Sequence, residues 1–296
     1  MTELSLLARG PGVLASDMAL RRIESIFHPS DFSAASEIAF AHALKIALVS
    51  GAALDMMHVA ADPDADWGDF PGVRQTLERW SLIPPGSPKS AVAQLGIDVT
   101  KIIASSSRPV KACMEFLNRH PADLIVLAVR QFEGRMQWLE KSVGGSVARR
   151  AGGTTLYLPP DVRGFVSLDD GSLRLRNILV PVAAKPQPQL AVEVIMRLIS
   201  SLQLPPGRVT LLHVGAAEDA PRLSIPASSD WTWHTITQPG EPVEVILQVA
   251  GDTHADLIVM TTEGPHGFLD ALRGSTSERV LRQARCALLA LPVGRS

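Results

Sequence analysis

Hydrophobic and polar positions follow two patterns that alternate along the chain. Short runs rich in Val, Ile and Leu, such as 124–129, are typical of strands covered on both faces. Longer segments rich in Ala, Leu and Ile, such as 34–49, are typical of helices, and Asp31 or Ser33 could cap this one. Alternating strands and helices predict parallel strands joined by right-handed crossovers, which form an open, doubly wound α/β sheet. The predicted strands are 23–28, 53–59, 97–104, 124–129, 154–158, 176–182, 208–214, 231–236, 257–261 and 287–291, and the predicted helices are 34–49, 110–119, 142–150, 188–202, 242–251 and 275–283.

An internal repeat divides this pattern into two copies. Residues 109–159 align without a gap with residues 242–292, and 16 of these 51 positions are identical. The segments that end in His58-Val59 and His213-Val214 also correspond. A repeat of this length indicates two copies of one domain. The expected boundaries are 20–160 for domain 1, with an insertion at about 62–94, 161–173 for a linker, and 174–294 for domain 2.

Composition and charge narrow the class of protein. The chain has 296 residues and a net charge of −2, which argues against binding to nucleic acid or to an anionic membrane through bulk charge. Its two cysteines, Cys113 and Cys286, are too few for a disulfide scaffold or a zinc site built mainly from thiolates. The first residues do not resemble a secretory signal, and no apolar run reaches the roughly 18 residues of a membrane span. We therefore expect a cytoplasmic protein without nucleic-acid or membrane partners.

Motifs for catalysis are missing from the sequence. It contains no G-x4-G-K-[S/T], no G-x-S-x-G and no H-E-x-x-H pattern. No nucleophile, base and oxyanion-binding set can be assembled from it either. We therefore expect a binding protein that is not an enzyme and has no metal of its own. In a doubly wound sheet the ligand lies beyond the carboxyl ends of the strands, where the strand order reverses.

Several segments recur at the same place in both copies. Ala-Asp-Leu-Ile-Val occupies 122–126 and 255–259, and an apolar strand followed by a turn occupies 26–33 and 178–182. With the tail 274–292, these residues resemble the universal stress protein family in its tandem two-domain form. The resemblance implies two Rossmann-like, adenine nucleotide alpha hydrolase-like domains that form an intramolecular pseudo-dimer. It sets strand 154–158 against strand 287–291, and it is compatible with a further homodimer of chains.

The resemblance also implies where a nucleotide would bind. Family members that bind nucleotide carry G-x2-G-x9-G-[S/T] after the fourth strand, where glycines admit phosphate to backbone N–H groups at a helix start. The second copy reads Thr261-x2-Gly264-x9-Gly274-Ser275, so Thr261 replaces the first glycine. The family's acidic residue after the first strand is Ala183 in this copy. ATP or ADP is therefore expected at a partial site whose second-copy members are Val182, Thr261, Gly264, Gly274, Ser275 and Thr276.

The first copy keeps the acidic residue of the site but lacks its glycines. It keeps the acidic residue, Asp31, as a candidate contact with a nucleoside, but Ala128, Gln131 and Lys141 replace all three glycines. We also hypothesise that Trp67, Phe70 and Trp80 of the insertion cover the cleft of this copy.

Two functions remain open at this point. One is a stress-response protein that binds ATP or ADP in the second copy. The other is a nucleotide-free scaffold that recruits a protein partner of unknown identity. In the second case, Gly264 and Gly274 form an inherited turn, Ser275 caps the following helix, and Asp31 caps the helix at 34–49. His58 and His213 are expected to be structural residues at strand ends in either case.

Overall fold

The computed structural model describes residues 23–60, 67–129, 153–159, 162, 164–185, 187–225, 230–263 and 276–293. The strands are β1 (Ser25–Pro29), β2 (Ala53–Ala60), β3 (Val99–Ser105), β4 (Leu124–Ala128), β5 (Thr155–Leu158), β6 (Asn177–Val182), β7 (Arg208–Val214), β8 (Thr232–Gln238), β9 (Leu257–Glu263) and β10 (Ala287–Val293). The helices are α1 (Ala34–Ser50), α2 (Val73–Arg79), α3 (Ser90–Ala93), α4 (Pro109–Arg119), α5 (Pro188–Ser201), α6 (Pro242–Asp252) and α7 (Thr276–Gln283).

The ten strands of the described residues form one continuous sheet in the order β3-β2-β1-β4-β5-β10-β9-β6-β7-β8. Neighbouring strands are parallel on either side of the centre, and the central pair, β5 and β10, is antiparallel. We call β1–β5 with their helices the first lobe and β6–β10 with theirs the second lobe. Both lobes share one strand order, in which the first strand along the chain lies between the second and the fourth, so the predicted doubly wound α/β fold is confirmed.

The central strand pair relates the two lobes by a local two-fold axis. Leu289 pairs with Leu156, and the repeat alignment makes these two residues equivalent. Thr155 pairs with Ala290, and Tyr157 pairs with Leu288. In the repeat alignment Thr155 is equivalent to Leu288 and Tyr157 to Ala290, so the alignment converts one pair into the other. The axis therefore passes between Leu156 and Leu289, both of which are buried. This pairing confirms the expected intramolecular pseudo-dimer.

Helices cover both faces of the sheet. α1 and α5 bury small and branched residues on one face, where Ala39, Ala43 and Ala47 let α1 approach the strands closely. Cys113 of α4, Val243 of α6 and Val280 of α7 are buried on the other face. Ser33 begins α1 as its N-cap by accepting a hydrogen bond from the Ser36 N–H through Oγ (3.2 Å).

The aspartates of the two Ala-Asp-Leu-Ile-Val segments have a structural role. Asp123 Oδ2 accepts hydrogen bonds from the Glu24 and Ser25 N–H groups at 3.0 and 2.9 Å, at the start of β1. Asp256 Oδ2 accepts from the Arg176 and Asn177 N–H groups, both at 2.8 Å, at the start of β6. Each carboxylate thereby satisfies backbone donors that have no ladder partner at the strand end.

The segment between the lobes packs as a short hairpin. Val166 and Leu173 form an antiparallel bridge, and Phe165 and Val166 are buried. His42 of α1 accepts hydrogen bonds at Nε2 from the Phe165 and Val166 N–H groups (2.9 and 3.1 Å). At Gly164 (φ +69°), a Cβ would lie 2.2 Å from this nitrogen. We call residues 164–175 the linker hairpin.

Some element boundaries differ from the prediction. The insertion forms two short helices, α2 and α3, which are not among the helices predicted from the sequence. β3 begins at Val99 and β8 at Thr232, slightly later than expected. The helix predicted at 142–150 lies outside the described residues.

Candidate functional site

Each lobe has a crevice where its strand order reverses. The ladder between β6 and β9 consists of two residue pairs, Ile178 with Leu257 and Leu179 with Ile258. β6 then continues to Val182 paired only with β7, and β9 continues to Glu263 paired only with β10. β1 and β4 separate in the same way in the first lobe. These are the positions at which open α/β sheets bind ligands.

Three of the predicted site residues lie at this crevice of the second lobe. Val182 is the last residue of β6, Thr261 lies in β9 opposite Leu291 of β10, and Thr276 is the first residue of α7. Gly264, Gly274 and Ser275 lie outside the described residues. The structure therefore places the strands and the helix that flank the predicted phosphate loop. Asp31 belongs to the other lobe.

His213 borders the second-lobe crevice from β7. Its Nδ1–H donates to the Val182 carbonyl at 3.2 Å, which leaves Nε2 of the neutral ring as a hydrogen-bond acceptor. The side chain is 6% exposed, and Nε2 has no hydrogen-bond partner among the described residues. A Cβ at Gly215 would lie 3.1 Å from this Nε2, so the glycine limits crowding around it. We call this crevice, bounded by Val182, Thr261 and His213, the second-lobe cleft.

Asp31 makes local contacts at the corresponding turn of the first lobe. Its Oδ1 accepts hydrogen bonds from the Ser33 N–H at 3.1 Å and from the Ser33 hydroxyl. Ser33 in turn caps α1. The aspartate therefore supports the helix start, and the capping side chain itself belongs to Ser33.

Aromatic side chains cover that turn. Phe32 stacks on His58, with ring centroids 3.9 Å apart, and contacts Phe70 edge to face at 5.0 Å. The backbone of Phe32 is in the left-handed region (φ +61°), which costs a bulky residue on the order of 1–3 kcal/mol and requires compensating packing. His58 Nδ1–H donates to the Ser30 carbonyl at 2.8 Å, the counterpart of the His213 bond. The equivalent bonds indicate a shared structural role for the two histidines.

The insertion only partly matches its hypothesised placement. Phe70 lies on Phe32, and Trp67 stacks on Phe70 with centroids 6.4 Å apart. Trp80 instead donates its indole N–H to the Leu168 carbonyl of the linker hairpin at 3.1 Å. Trp67 and Phe70 therefore extend the stack over the first-lobe turn, whereas Trp80 anchors the linker hairpin.

The difference between the clefts could have been found in the sequence. Phe32 aligns with Ala184, one residue after the Asp31 and Ala183 pair that the motif comparison considered. Ala184 is exposed, and it places no ring over His213. A comparison of side-chain size at every position after the first strand would have predicted an aromatic ring beside the histidine of the first lobe and none at the equivalent position of the second.

Burial favours the neutral form of three ionisable side chains outside the two crevices. Burial lowers the pKa of His28 to about 4, although its hydrogen bond to the Val126 carbonyl opposes this effect. Burial likewise raises the pKa of the Cys113 and Cys286 thiols to about 12. Thiols with such high pKa values are poor nucleophiles, as expected for structural cysteines.

Neither a metal cluster nor a membrane span is found in the described part of the chain. No group of three or more His, Cys, Asp or Glu side chains there is arranged to hold a metal ion. None of the helices described has the length and apolar character that crossing a membrane requires.

Comparison with known proteins gives a match to one family. The sequence model described as "Universal stress protein family" matches residues 23–156 and 232–292, which together are more than half of the chain. A universal stress protein E homolog from Haemophilus influenzae is 40% identical over 58 residues, which are 20% of this chain and 19% of that protein. A universal stress protein from Methanocaldococcus jannaschii is 43% identical over 56 residues, 19% of this chain and 33% of that protein. The matched segments thus span one third or less of either relative.

Solved structures share the fold over nearly the whole chain. A universal stress protein from Archaeoglobus fulgidus has a TM-score of 0.58 at 16% identity and covers 91% of this chain and 98% of its own. A functionally unknown protein from Pseudomonas aeruginosa has a TM-score of 0.57 at 14% identity, with 93% and 94% covered. At these identities the likeness shows the tandem α/β fold alone.

Proposed function

Because the chain belongs to the universal stress protein family, we propose that it binds an adenine nucleotide in the second-lobe cleft and acts by binding, without catalysis. Family membership supports a role in the stress response. The proposed ligand is ATP or ADP, and the proposed contacts are Val182, Thr261, Gly264, Gly274, Ser275 and Thr276. Domain boundaries at 20–160 and 174–294 are part of the same proposal.

The asymmetry between the clefts carries this proposal. In the first lobe, Phe32 and Phe70 occupy the space over His58. In the second lobe, Ala184 stands in place of Phe32, and His213 Nε2 is buried without a described partner. A buried acceptor without a partner costs about 1–3 kcal/mol, so a ligand that donates to it gains affinity. A ribose hydroxyl or the adenine amino group is such a donor.

The flanking elements favour an anion at the same cleft. α7 begins at Thr276, directly after the Gly274-Ser275 pair, and the N-terminus of a helix favours a phosphate through its N–H groups and dipole. Within α7, Val280 and Leu281 are buried against the sheet, which fixes the position of the helix. The proposed phosphate site therefore rests on a packed element.

The second candidate function is a nucleotide-free scaffold that recruits a protein partner. Ala183 and Thr261 favour it, because the first removes the acidic residue after the first strand and the second puts a side chain where the family has a glycine. Under this alternative, Asp31 and Ser33 have only the capping role described above.

Isothermal titration of the full chain with ATP and ADP distinguishes the two functions. We expect one site per chain. Gly264→Gln should abolish binding because it fills the phosphate loop, and Ala184→Phe should weaken it by covering His213. The matched control, Phe32→Ala, changes the equivalent residue of the first lobe and should leave nucleotide affinity unchanged.

Two outcomes would contradict the proposal. Absence of heat, together with failure to displace a fluorescent ATP analogue, would leave the scaffold function. Loss of binding in Asp31→Ala with full binding in Gly264→Gln would move the site to the first lobe.

A further inference from the structure

The insertion of the first lobe encloses a cleft that is separate from both crevices. In the first lobe, 38 residues separate the end of β2 at Ala60 from the start of β3 at Val99, whereas 17 residues separate β7 at Val214 from β8 at Thr232. The additional residues form α2 and α3 beside β3, which is an edge strand of the sheet. Between them and β3 lies a space of about 620 Å³, which we call the insertion cleft. Small-molecule sites typically measure about 300–1,000 Å³.

The insertion cleft combines an apolar floor with a cationic rim. Val73 and Ile97 are buried residues of the floor. Among the lining residues that the structure describes, Arg74, Lys89 and Lys101 supply three positive charges, and Asp98 supplies one carboxylate. An apolar surface edged by cations favours a ligand with an apolar body and an anionic group.

The two lysines lack carboxylate partners in the described part of the chain. Arg74 Nε lies 3.8 Å from Glu78 Oε1, but neither Lys89 nor Lys101 forms an ion pair with a described residue. The pKa of Lys101 is lowered, first because the side chain is partly buried and then because Lys89 repels its charge. An anion placed between the two lysines would relieve this repulsion.

An aromatic surface adjoins the lysines. Trp67 lines the insertion cleft and is 57% exposed. The ammonium group of Lys101 lies 5.5 Å from the centroid of the Phe70 ring, on which Trp67 also stacks. Exposed aromatic rings beside cations are the arrangement with which proteins bind planar anionic ligands.

We propose that the insertion cleft binds a small organic anion in which a planar ring carries a phosphate or carboxylate group. Lys89 and Lys101 contact the anionic group, and Trp67 stacks on the ring. This site is independent of the proposed nucleotide site, because every residue that carries it lies in the first lobe's insertion or in β3.

Titration calorimetry on the full chain with phenyl phosphate, benzoate and inorganic phosphate tests the proposal. Phenyl phosphate should bind about 5- to 150-fold more tightly than inorganic phosphate, since stacking of a ring contributes about 1–3 kcal/mol. Tighter binding of benzoate than of phenyl phosphate would identify the anion as a carboxylate, and weaker binding would identify it as a phosphate. Affinity should fall with rising salt concentration.

Variants locate the binding. Lys89→Gln and Lys101→Gln should each weaken phenyl phosphate about 10-fold or more, the size expected for a charge-assisted hydrogen bond. Trp67→Ala should reduce the affinity for phenyl phosphate to that for inorganic phosphate. Lys111→Gln is the matched control, because Lys111 is an exposed lysine of the same lobe whose Nζ lies 3.4 Å from Glu115 Oε1, and it should change nothing. Lys89 is also exposed, so its variant should fold normally.

Three results would overturn the proposal. The first is no heat with any probe up to millimolar concentration. The second is binding that survives both lysine substitutions but disappears in Gly264→Gln, which would assign it to the second-lobe cleft. The third is binding that appears only when Asp62, Asp64 and Asp66, which precede Trp67 in the sequence, are all changed to Asn. That result would make the chain's own acidic segment the partner of the lysines.

Discussion

Acid should weaken the packing of the linker hairpin on α1, because the hydrogen bonds between them require the neutral form of His42. Nδ1–H of His42 donates to the Ile38 carbonyl at 2.8 Å, so Nε2 can accept the Phe165 and Val166 N–H groups only while the ring is unprotonated. Burial lowers the pKa of His42 from 6.5 to about 4. The unfolded chain therefore binds a proton more readily than the folded protein between these pH values.

The sign and size of the effect follow from this difference. The contribution of neutral His42 to the free energy of unfolding is fully present above pH 6.5, and it is lost as the pH falls towards 4. Between pH 7.5 and pH 5, one such histidine lowers the free energy of unfolding by about 2 kcal/mol. His28, whose pKa is also about 4, should contribute a similar amount, so we expect a loss of about 4 kcal/mol from the two residues together.

Urea unfolding at pH 7.5 and pH 5 measures this loss. His42→Gln places an amide oxygen near the two N–H groups but cannot be protonated in this range, so the loss between the two pH values should fall by about 2 kcal/mol. His234→Gln is the control, because His234 is exposed on β8 and its replacement should leave the loss unchanged. The reasoning is refuted if His42→Gln loses as much stability as the wild type at equal m-values, or if the two variants behave alike.

Two further predictions concern the buried framework. Asp123→Ala and Asp256→Ala should each lower the free energy of unfolding by about 1–3 kcal/mol in urea titrations. Asp123→Ala should cost more because its carboxylate also accepts the Ser25 hydroxyl at 2.9 Å. Asp252→Ala, at an exposed position, should change the free energy of unfolding by no more than about 0.5 kcal/mol. A loss there as large as that of Asp123→Ala would contradict the structural role of the two carboxylates. Cys113 and Cys286 are buried with raised pKa values, so a thiol reagent should modify neither in the folded protein and both in urea. Rapid native modification, followed by mass spectrometry, would disprove their burial.

The repeat made the centre of the fold predictable. A gapless alignment over residues 109–159 and 242–292 assigned equivalent last strands, and the family resemblance set them against each other. The pairing of Leu156 with Leu289 then followed, because a two-fold axis must lie between equivalent residues. The doubly wound arrangement within each lobe was predictable because alternating strands and helices allow few right-handed arrangements.

The linker hairpin was not predictable in the same way. In the prediction from the sequence, residues 161–173 are a linker with no strand or helix. Its structure depends on long-range contacts, the hydrogen bonds to His42 and the Trp80 indole, which local pattern does not encode. The same limit explains why Trp80 was assigned to the wrong surface.

The position of the candidate site could be predicted from the sequence, but the aromatic side chains that cover the equivalent turn of the first lobe could not. The strand ends that carry Val182 and Thr261 could be located from the motif and the strand pattern. The covering of the first-lobe turn by Phe32 and Phe70 could not, because it combines an unusual left-handed backbone with a ring from the insertion. For Gly264, Gly274 and Ser275, the prediction from the sequence stands without a structural description.

The antiparallel junction of β5 and β10 has a consequence for the whole molecule. All the remaining neighbouring pairs of described strands are parallel. The strands of the first lobe therefore run opposite to those of the second, and their carboxyl ends lie at opposite ends of the sheet. A small ligand held at one end cannot touch the other. A substitution such as the phenylalanine at position 32 can therefore change the crevice of one lobe without affecting the crevice of the other.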